Sequence, residues 1–300
     1  MKEPETFIEL LKKDLQYPPQ YHCLFNNIKK AEQLAQILMN KNKLVAEKIK
    51  GIENQLDGEL SIDELVIQGL IDTTDIGEVI VKKSFVVCNS LKNHGSSIRG
   101  PVGLEKGVVV GRSTILGPAY IAENSKIFDS RLRGDKTGSV YVGGNCSLWD
   151  YTVIIRSLIM DHSLIHTCNV DDSIVGSQSN FGGTRIKSHI ESNKPKVVNL
   201  AKLNQRVILA NYSYGNKIRV YDSTRDSIVP IDTDHFGTLT GTQVWLASGS
   251  IIYPGTIIGC KAKINCTIPL IGHIPQEANY SLFLSVKKDS KVELTGSLKS

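Results

Sequence analysis

The chain has 300 residues, a formal net charge of +5, 41% hydrophobic residues and only 6% aromatics. That length holds one large domain and a smaller companion. The mild charge, carried on scattered lysines, argues against a nucleic-acid surface and leaves room for an anionic small molecule. No apolar run reaches the roughly 18 residues that span a bilayer, so no membrane span is expected.

The first residues, MKEPETFIELLKKD, carry acids and lack the charged-then-apolar layout of a secretory leader. Phe7, Ile8, Leu10, Leu11 and Leu15 form an apolar stripe at helical spacing that Pro18 and Pro19 stop. Ile28, Ala31, Leu34, Ala35 and Leu38 make a second stripe, which Val45, Ile49 and Ile52 continue. Ser61 and Glu64 have capping-box spacing ahead of Leu65, Val66 and Leu70. Residues 1–72 therefore read as a small helical domain or arm, able to dock on the rest of the chain or on another subunit.

From residue 73 onward the pattern is β. VIVKKSFVV is strand-like, and then a period of six begins. Ile121 and Ile127 show it, then Val142, Leu148, Ile154 and Met160, and after a break Leu246, Ile252, Ile258 and Ile264. Small residues stand four places after the large ones, among them Ser125, Cys146, Thr152, Ser250, Thr256 and Ala262. Six fits neither a helix nor a lone alternating strand. It predicts a left-handed parallel β-helix of hexapeptide repeats, with the large residue in the prism axis and the small one beside it. A loop is expected at residues 131–139. An excursion of inserted strands, with KVVNL, RVILA and KIRVY as candidates, is expected at about 191–235. LFLSV and KVELT read as one or two closing strands.

The six cysteines, Cys23, Cys88, Cys146, Cys168, Cys260 and Cys266, include no Cys-x-x-Cys pair. Buried thiols in a reducing cytoplasm are expected rather than disulfides. His162, His166 and Cys168 do not make a closed set of zinc ligands, so no metal is predicted.

Three segments resemble a known family. RSLIMDHSLIHTCNVDDSIVGSQSNFGGTRI, HFGTLTGTQVWLASGSIIYPGTIIG and GPAYIAENSKI are similar to the acetyltransferase half of the two-domain sugar-1-phosphate nucleotidyltransferases, the glucosamine-1-phosphate N-acetyltransferases, archaeal-type members above all. The resemblance covers about residues 100–265. The family's nucleotidyltransferase domain has no counterpart, so that activity is not expected.

The resemblance implies a homotrimer with acetyl-CoA as co-substrate in a groove between prisms, and a sugar or sugar phosphate as acceptor. It implies a histidine that takes the proton of the attacking amine, and His166 stands at that place. It also implies acceptor contacts from Asn169, Asp171, Asn180, Ser188 or His189, Lys194 and Lys196, and coenzyme contacts from Ala247, Ser248 and Lys261. The chain departs from the family at Asn169, where tyrosine is usual, and at Asp171, where glycine is usual. The run Gly182-Gly183-Thr184 is also shortened. Two functions follow as expectations: an acyltransferase, or a non-catalytic solenoid scaffold or regulatory subunit.

Overall fold

A computed structural model describes residues 62–182 apart from 74–76, 84–85, 88–89 and 94, and residues 237–286 apart from 267–268. It also describes the strands Arg185–Lys187, Val197–Asn199, Val207–Leu209, Arg219–Asp222, Ser227–Pro230 and Val292–Lys299. The helical stripes expected before residue 61 lie outside the described residues. The short helix Ile62–Ile67 follows the capping-box serine and buries Leu65.

Each hexad becomes a strand of two to four residues and then a corner. The chain visits three sheets in rotation, for example through Ser147–Trp149, Val153–Ile155 and Leu158–Ile159 before Leu164–His166 returns to the first. The sheets have eleven, eight and nine strands, and pairing between successive coils is parallel. The result is a three-sided parallel β-solenoid.

Alternation within each short strand sends its aliphatic residue to the axis. On the eleven-stranded face Ile127, Leu148, Ile165, Phe181, Leu246 and Ile264 lie in register, all 0% exposed. Ile121 and Val142 line the nine-stranded face with Ile258, and Ile252 lines the eight-stranded one, as the period predicts. One axial position differs. Ile159, not Met160, takes the register place between Val142 and Val175, because this coil falls just short of three full hexads. Met160 is buried beside it.

Many of the corners share one pattern. A residue in the left-handed backbone region comes first, and a small buried residue follows. Asn124–Ser125, Asn145–Cys146, His162–Ser163, Gln178–Ser179 and Lys261–Ala262 are examples, with φ of 56 to 61° at the leading residues. The small residue carries a second duty. Ser125 Oγ donates to the Gly143 carbonyl at 2.7 Å and accepts from Cys146 N at 3.0 Å, which ties successive coils together. Such bonds satisfy the buried corner backbone, which lacks ladder partners.

The ends are closed differently. At the N-terminal end the pairing in each sheet turns antiparallel: Glu78–Val81, itself edged by Ile71–Thr73, in the eleven-stranded sheet, Val86–Val87 in the nine-stranded one and Ser90–Asn93 in the eight-stranded one. At the other end Asn279–Val286 folds back on Val292–Lys299 along its whole length.

Two expectations change in detail. The break at 131–139 is shorter, because Arg131–Arg133 is a coil strand and Ser139 is fully buried. Within 191–235, Val207–Leu209 is not part of a hairpin. It pairs parallel with Cys168–Asp171 on one side and Ile251–Ile252 on the other, as a rung of the eight-stranded sheet. The two antiparallel hairpins, Arg185–Lys187 with Val197–Asn199 and Arg219–Asp222 with Ser227–Pro230, enter on either side of it. One coil thus carries two separate insertions.

Candidate active site

The candidate site forms on the corner where the eleven-stranded face turns into the eight-stranded face. Stacking coils in register places outward residues in a column, and here the column runs Phe128, Trp149, His166. Phe128 and Trp149 meet edge to face with centroids 5.8 Å apart, and Trp149 meets the imidazole edge to face at 5.9 Å. These contacts hold the ring between an aromatic wall and the next coil.

Glycines end the column on both sides. A Cβ at Gly111 would come within 2.6 Å of the Phe128 ring. A Cβ at Gly182 would stand 1.9 Å from the His166 carbonyl oxygen, and Gly182 has φ +80°. Only glycine fits there, because the His166 backbone carbonyl fills the space a side chain would need.

The His166 side chain is 20% exposed, and Nδ1 lies 3.5 Å from Asp150 Oδ2. Asp150 reaches it because Asp150 and Tyr151 both adopt left-handed φ, 54° and 62°, and widen the preceding corner. A carboxylate on Nδ1 orients the ring and stabilises the charge that a proton transfer to it creates. Nε2 is then the nitrogen available to a substrate. Thr167, at φ 48°, turns the chain immediately after, and Cys168 Sγ, in the next position, donates to the His166 carbonyl at 2.9 Å.

Asn169 lies just beyond His166 on the eight-stranded face, between Val153 and Ile208. Asn180 lies on the eleven-stranded face between Leu164 and Trp245, one strand over from His166. Its Oδ1 is buried without a hydrogen-bond partner, an acceptor of the kind a bound donor would satisfy. Just past the following strand, Trp245–Leu246, Ala247 is buried, and Ser248 Oγ donates to the Gly182 carbonyl at 2.6 Å. His166, Asn180, Gly182, Ala247 and Ser248 thus lie on, or directly after, consecutive strands of one face.

Other candidates fall elsewhere. Asp171 and Asp172 bind Arg156, with Nη2 3.0 Å from Asp171 Oδ1 and 2.9 Å from Asp172 Oδ2. Lys261 stands at the opposite edge of the eleven-stranded face, with Nζ 3.4 Å from Glu277 Oε1. Ser188, His189, Lys194 and Lys196 lie outside the described residues. Cys146, Cys168 and Cys260 are buried thiols, not disulfides. Among the described residues no group of three or more His, Cys, Asp or Glu is placed to hold a metal, and no helix is long and apolar enough to cross a membrane.

Trp149 and Asp150 belong to this site and escape a linear reading. The signal that finds them is the coil length, since Trp149 is the register partner of His166 on the preceding coil. A hollow of about 260 Å³ opens on the preceding coils of the same corner, with Arg112, Asp129, Arg131 and Tyr151 in its lining.

No protein-family model matches the chain. Over 232 residues it is 23% identical to the bifunctional protein GlmU of Koribacter versatilis (strain Ellin345), covering 72% of this chain and 46% of that protein. The chain thus spans about half the length of this curated relative. A solved structure of the polySia-specific acetyltransferase NeuO aligns with a TM-score of 0.29 and 12% identity, over 67% of this chain and 77% of that one.

Proposed function

We propose that the chain is a hexapeptide-repeat acyltransferase that moves an acetyl group from acetyl-CoA to an amino sugar or sugar phosphate. The reading takes the coil as left-handed, the assembly as a homotrimer and the location as the cytoplasm. The observation that carries it is the His166 imidazole, backed by Asp150 on the same face as the Asn180 side-chain carbonyl, which is buried without a hydrogen-bond partner. The similarity to GlmU supports the choice of acyl group and acceptor.

In this reading the acceptor amine attacks the thioester carbonyl as His166 Nε2 takes its proton. The C–N bond forms, the C–S bond breaks, and the departing thiolate leaves as the free thiol after receiving a proton. A positioned base of this kind contributes roughly 10²- to 10⁴-fold. Asp150 keeps the imidazole in orientation and stabilises its charge. Asn180 Oδ1 accepts from an acceptor hydroxyl or amine.

The coenzyme-side residues fit unequally. Ala247 and Ser248 offer a smooth floor, since the Ser248 hydroxyl is already spent on Gly182. Lys261 offers its charge at the far edge of the face, where it would meet a phosphate. Asp171 serves Arg156, so its part is to shape the corner beyond Asn169.

The test is binding of acetyl-CoA by calorimetry, followed by thiol release with a panel of amino sugars. The reading requires binding, turnover with at least one acceptor, and a fall of roughly 10²-fold in His166→Ala with coenzyme affinity retained. Absence of both binding and turnover would leave the scaffold role in its place.

A further inference from the structure

The corner that leads from the eleven-stranded to the eight-stranded face recurs on successive coils, and one copy is longer than its neighbours. Arg112 and Ser113 fill it between Gly111 and Thr114, Asp129 and Ser130 between Phe128 and Arg131, and Thr167 and Cys168 between His166 and Asn169. From Trp149 to Val153, the register mates of His166 and Asn169, the corner holds Asp150, Tyr151 and Thr152. Two of these three have counterparts. Asp150, at φ 54°, takes the left-handed place of Arg112, Asp129 and Thr167, which lie at 45 to 48°. Thr152 takes the small buried place, and its hydroxyl donates to the Trp149 carbonyl at 2.7 Å as Ser113 and Ser130 donate to Gly111 and Phe128. Tyr151 is the additional residue.

Nothing in the fold calls for a ring there. A φ of 62° suits Asn, Asp or Gly and disfavours a bulky side chain, yet this one is a tyrosine and is 67% exposed. Trp149, edge to face with His166, is 39% exposed at the start of the same corner. Tyr151 borders the hollow of about 260 Å³ that Arg112, Asp129 and Arg131 also line.

We infer that this corner is a second sugar subsite. The acceptor is then a glycan of at least two units, with its reacting amine at His166 and its next unit against Tyr151. This rests on the acyl-transfer reading above. Placement agrees, since Tyr151 is one coil from His166 and Arg131 two, roughly 5 and 10 Å along the axis. Size agrees, because the hollow is smaller than the roughly 300–1,000 Å³ that encloses a whole drug-sized ligand, and one ring fits it better. Chemistry selects a sugar. Exposed aromatic rings offer a floor to the apolar face of a pyranose. Arg112 Nε and Nη2 donate to Asp129 Oδ1 and Oδ2 at 2.8 and 2.7 Å. That pair is neutral as a whole and presents donors and acceptors together, as hydroxyls require. The Asp129 carboxylate would oppose a phosphate in the same place, which sets a glycan above a nucleotide.

Calorimetry on the full chain tests this, with glucosamine, glucosamine-1-phosphate and a set of di- and trisaccharides ending in glucosamine as probes. In wild type at least one oligosaccharide is expected to bind on the order of tenfold more tightly than glucosamine. Tyr151→Asn, which suits the backbone, should bring that ratio close to one, and Tyr151→Phe should keep most of it. Oligosaccharides that bind no more tightly than glucosamine, or an advantage that survives Tyr151→Asn, would overturn the inference. So would a preference for glucosamine-1-phosphate that Tyr151→Asn abolishes, which would make the hollow a phosphate seat. A change of assembly size in Tyr151→Asn by light scattering would do the same, assigning the ring to a contact between copies of the chain. The readout needs no turnover. Oligosaccharide binding without acetyl-CoA binding or thiol release would therefore reject acyl transfer and leave the subsite standing.

Discussion

Asn145 illustrates what a corner asks of a residue. It is exposed, has φ 56°, and directly precedes the buried Cys146. Asn, Asp and Gly tolerate that backbone, and β-branched residues do not. Asn145→Val is expected to lower stability by about 1–2 kcal/mol, while Asn145→Gly leaves the melting temperature unchanged or raises it, as calorimetric melts would show. Thr167 already bears such strain beside His166, at the point where the chain turns from one candidate-site face to the next. Asp150→Asn tests the imidazole's partner: turnover should fall at least several-fold without loss of acetyl-CoA affinity, because only the protonated imidazole gains from the carboxylate. At this scale His166 is legible from the wording of its neighbourhood. Trp149 and Asp150 are not, because their relation to it runs along the prism axis and not along the chain. The unsatisfied Asn180 carbonyl has no sequence signature beyond its place in the resemblance.

Between neighbouring strands the principal polar tie is Arg156. Its guanidinium reaches Asp135 at 3.1 Å, Asp171 at 3.0 Å and Asp172 at 2.9 Å, and its side chain is 15% exposed. The tie joins the short 134–138 loop to the eight-stranded face. Burial works to raise the Asp135 carboxyl, but bonds from Thr137 and Arg156 outweigh it and hold it at about 2. A lowered carboxyl stabilises the fold above its unfolded value near 3.8 and loses that contribution as pH falls toward 2. The wild-type melting temperature should therefore drop between about pH 4 and 2, and Asp135→Asn should be lower at neutral pH and show a shallower slope there. Burial also pushes the Cys146 thiol up to about 12, so iodoacetamide at pH 8 should spare it in the folded chain and reach it after denaturation. The element pattern is largely readable, because aliphatic and small residues repeat where the prism demands them. Val207–Leu209 is hidden, since a lone rung between two hairpins has no neighbouring hexad to set its phase. Met160 drops out of its expected axial place because successive coils do not all keep three full hexads, so that Val142 pairs with Ile159 and Ile165 with Phe181.

For the molecule as a whole, the axis is the source of stability. Ile252 is fully buried between Leu209 and the Leu270 bridge. Ile252→Asp is expected to cost roughly 3–5 kcal/mol, since it places a charge without a partner in an apolar column, and chemical denaturation would measure the loss. The doubly inserted coil has a consequence in time. Most rungs find their neighbours a single coil further along the chain, as Ile165 finds Phe181 and Leu246 finds Ile264. Phe181 instead waits for Leu246, which is made only after both insertions. Closing the longer loop costs about 1 kcal/mol more in chain entropy. Growth of the coil should therefore pause at this rung, so that residues before 182 and after 237 condense first and join later. Pulse-labelled hydrogen exchange during refolding would then show Ile165 protected well before the amide of Gly182, whose partner is the Leu246 carbonyl across that junction.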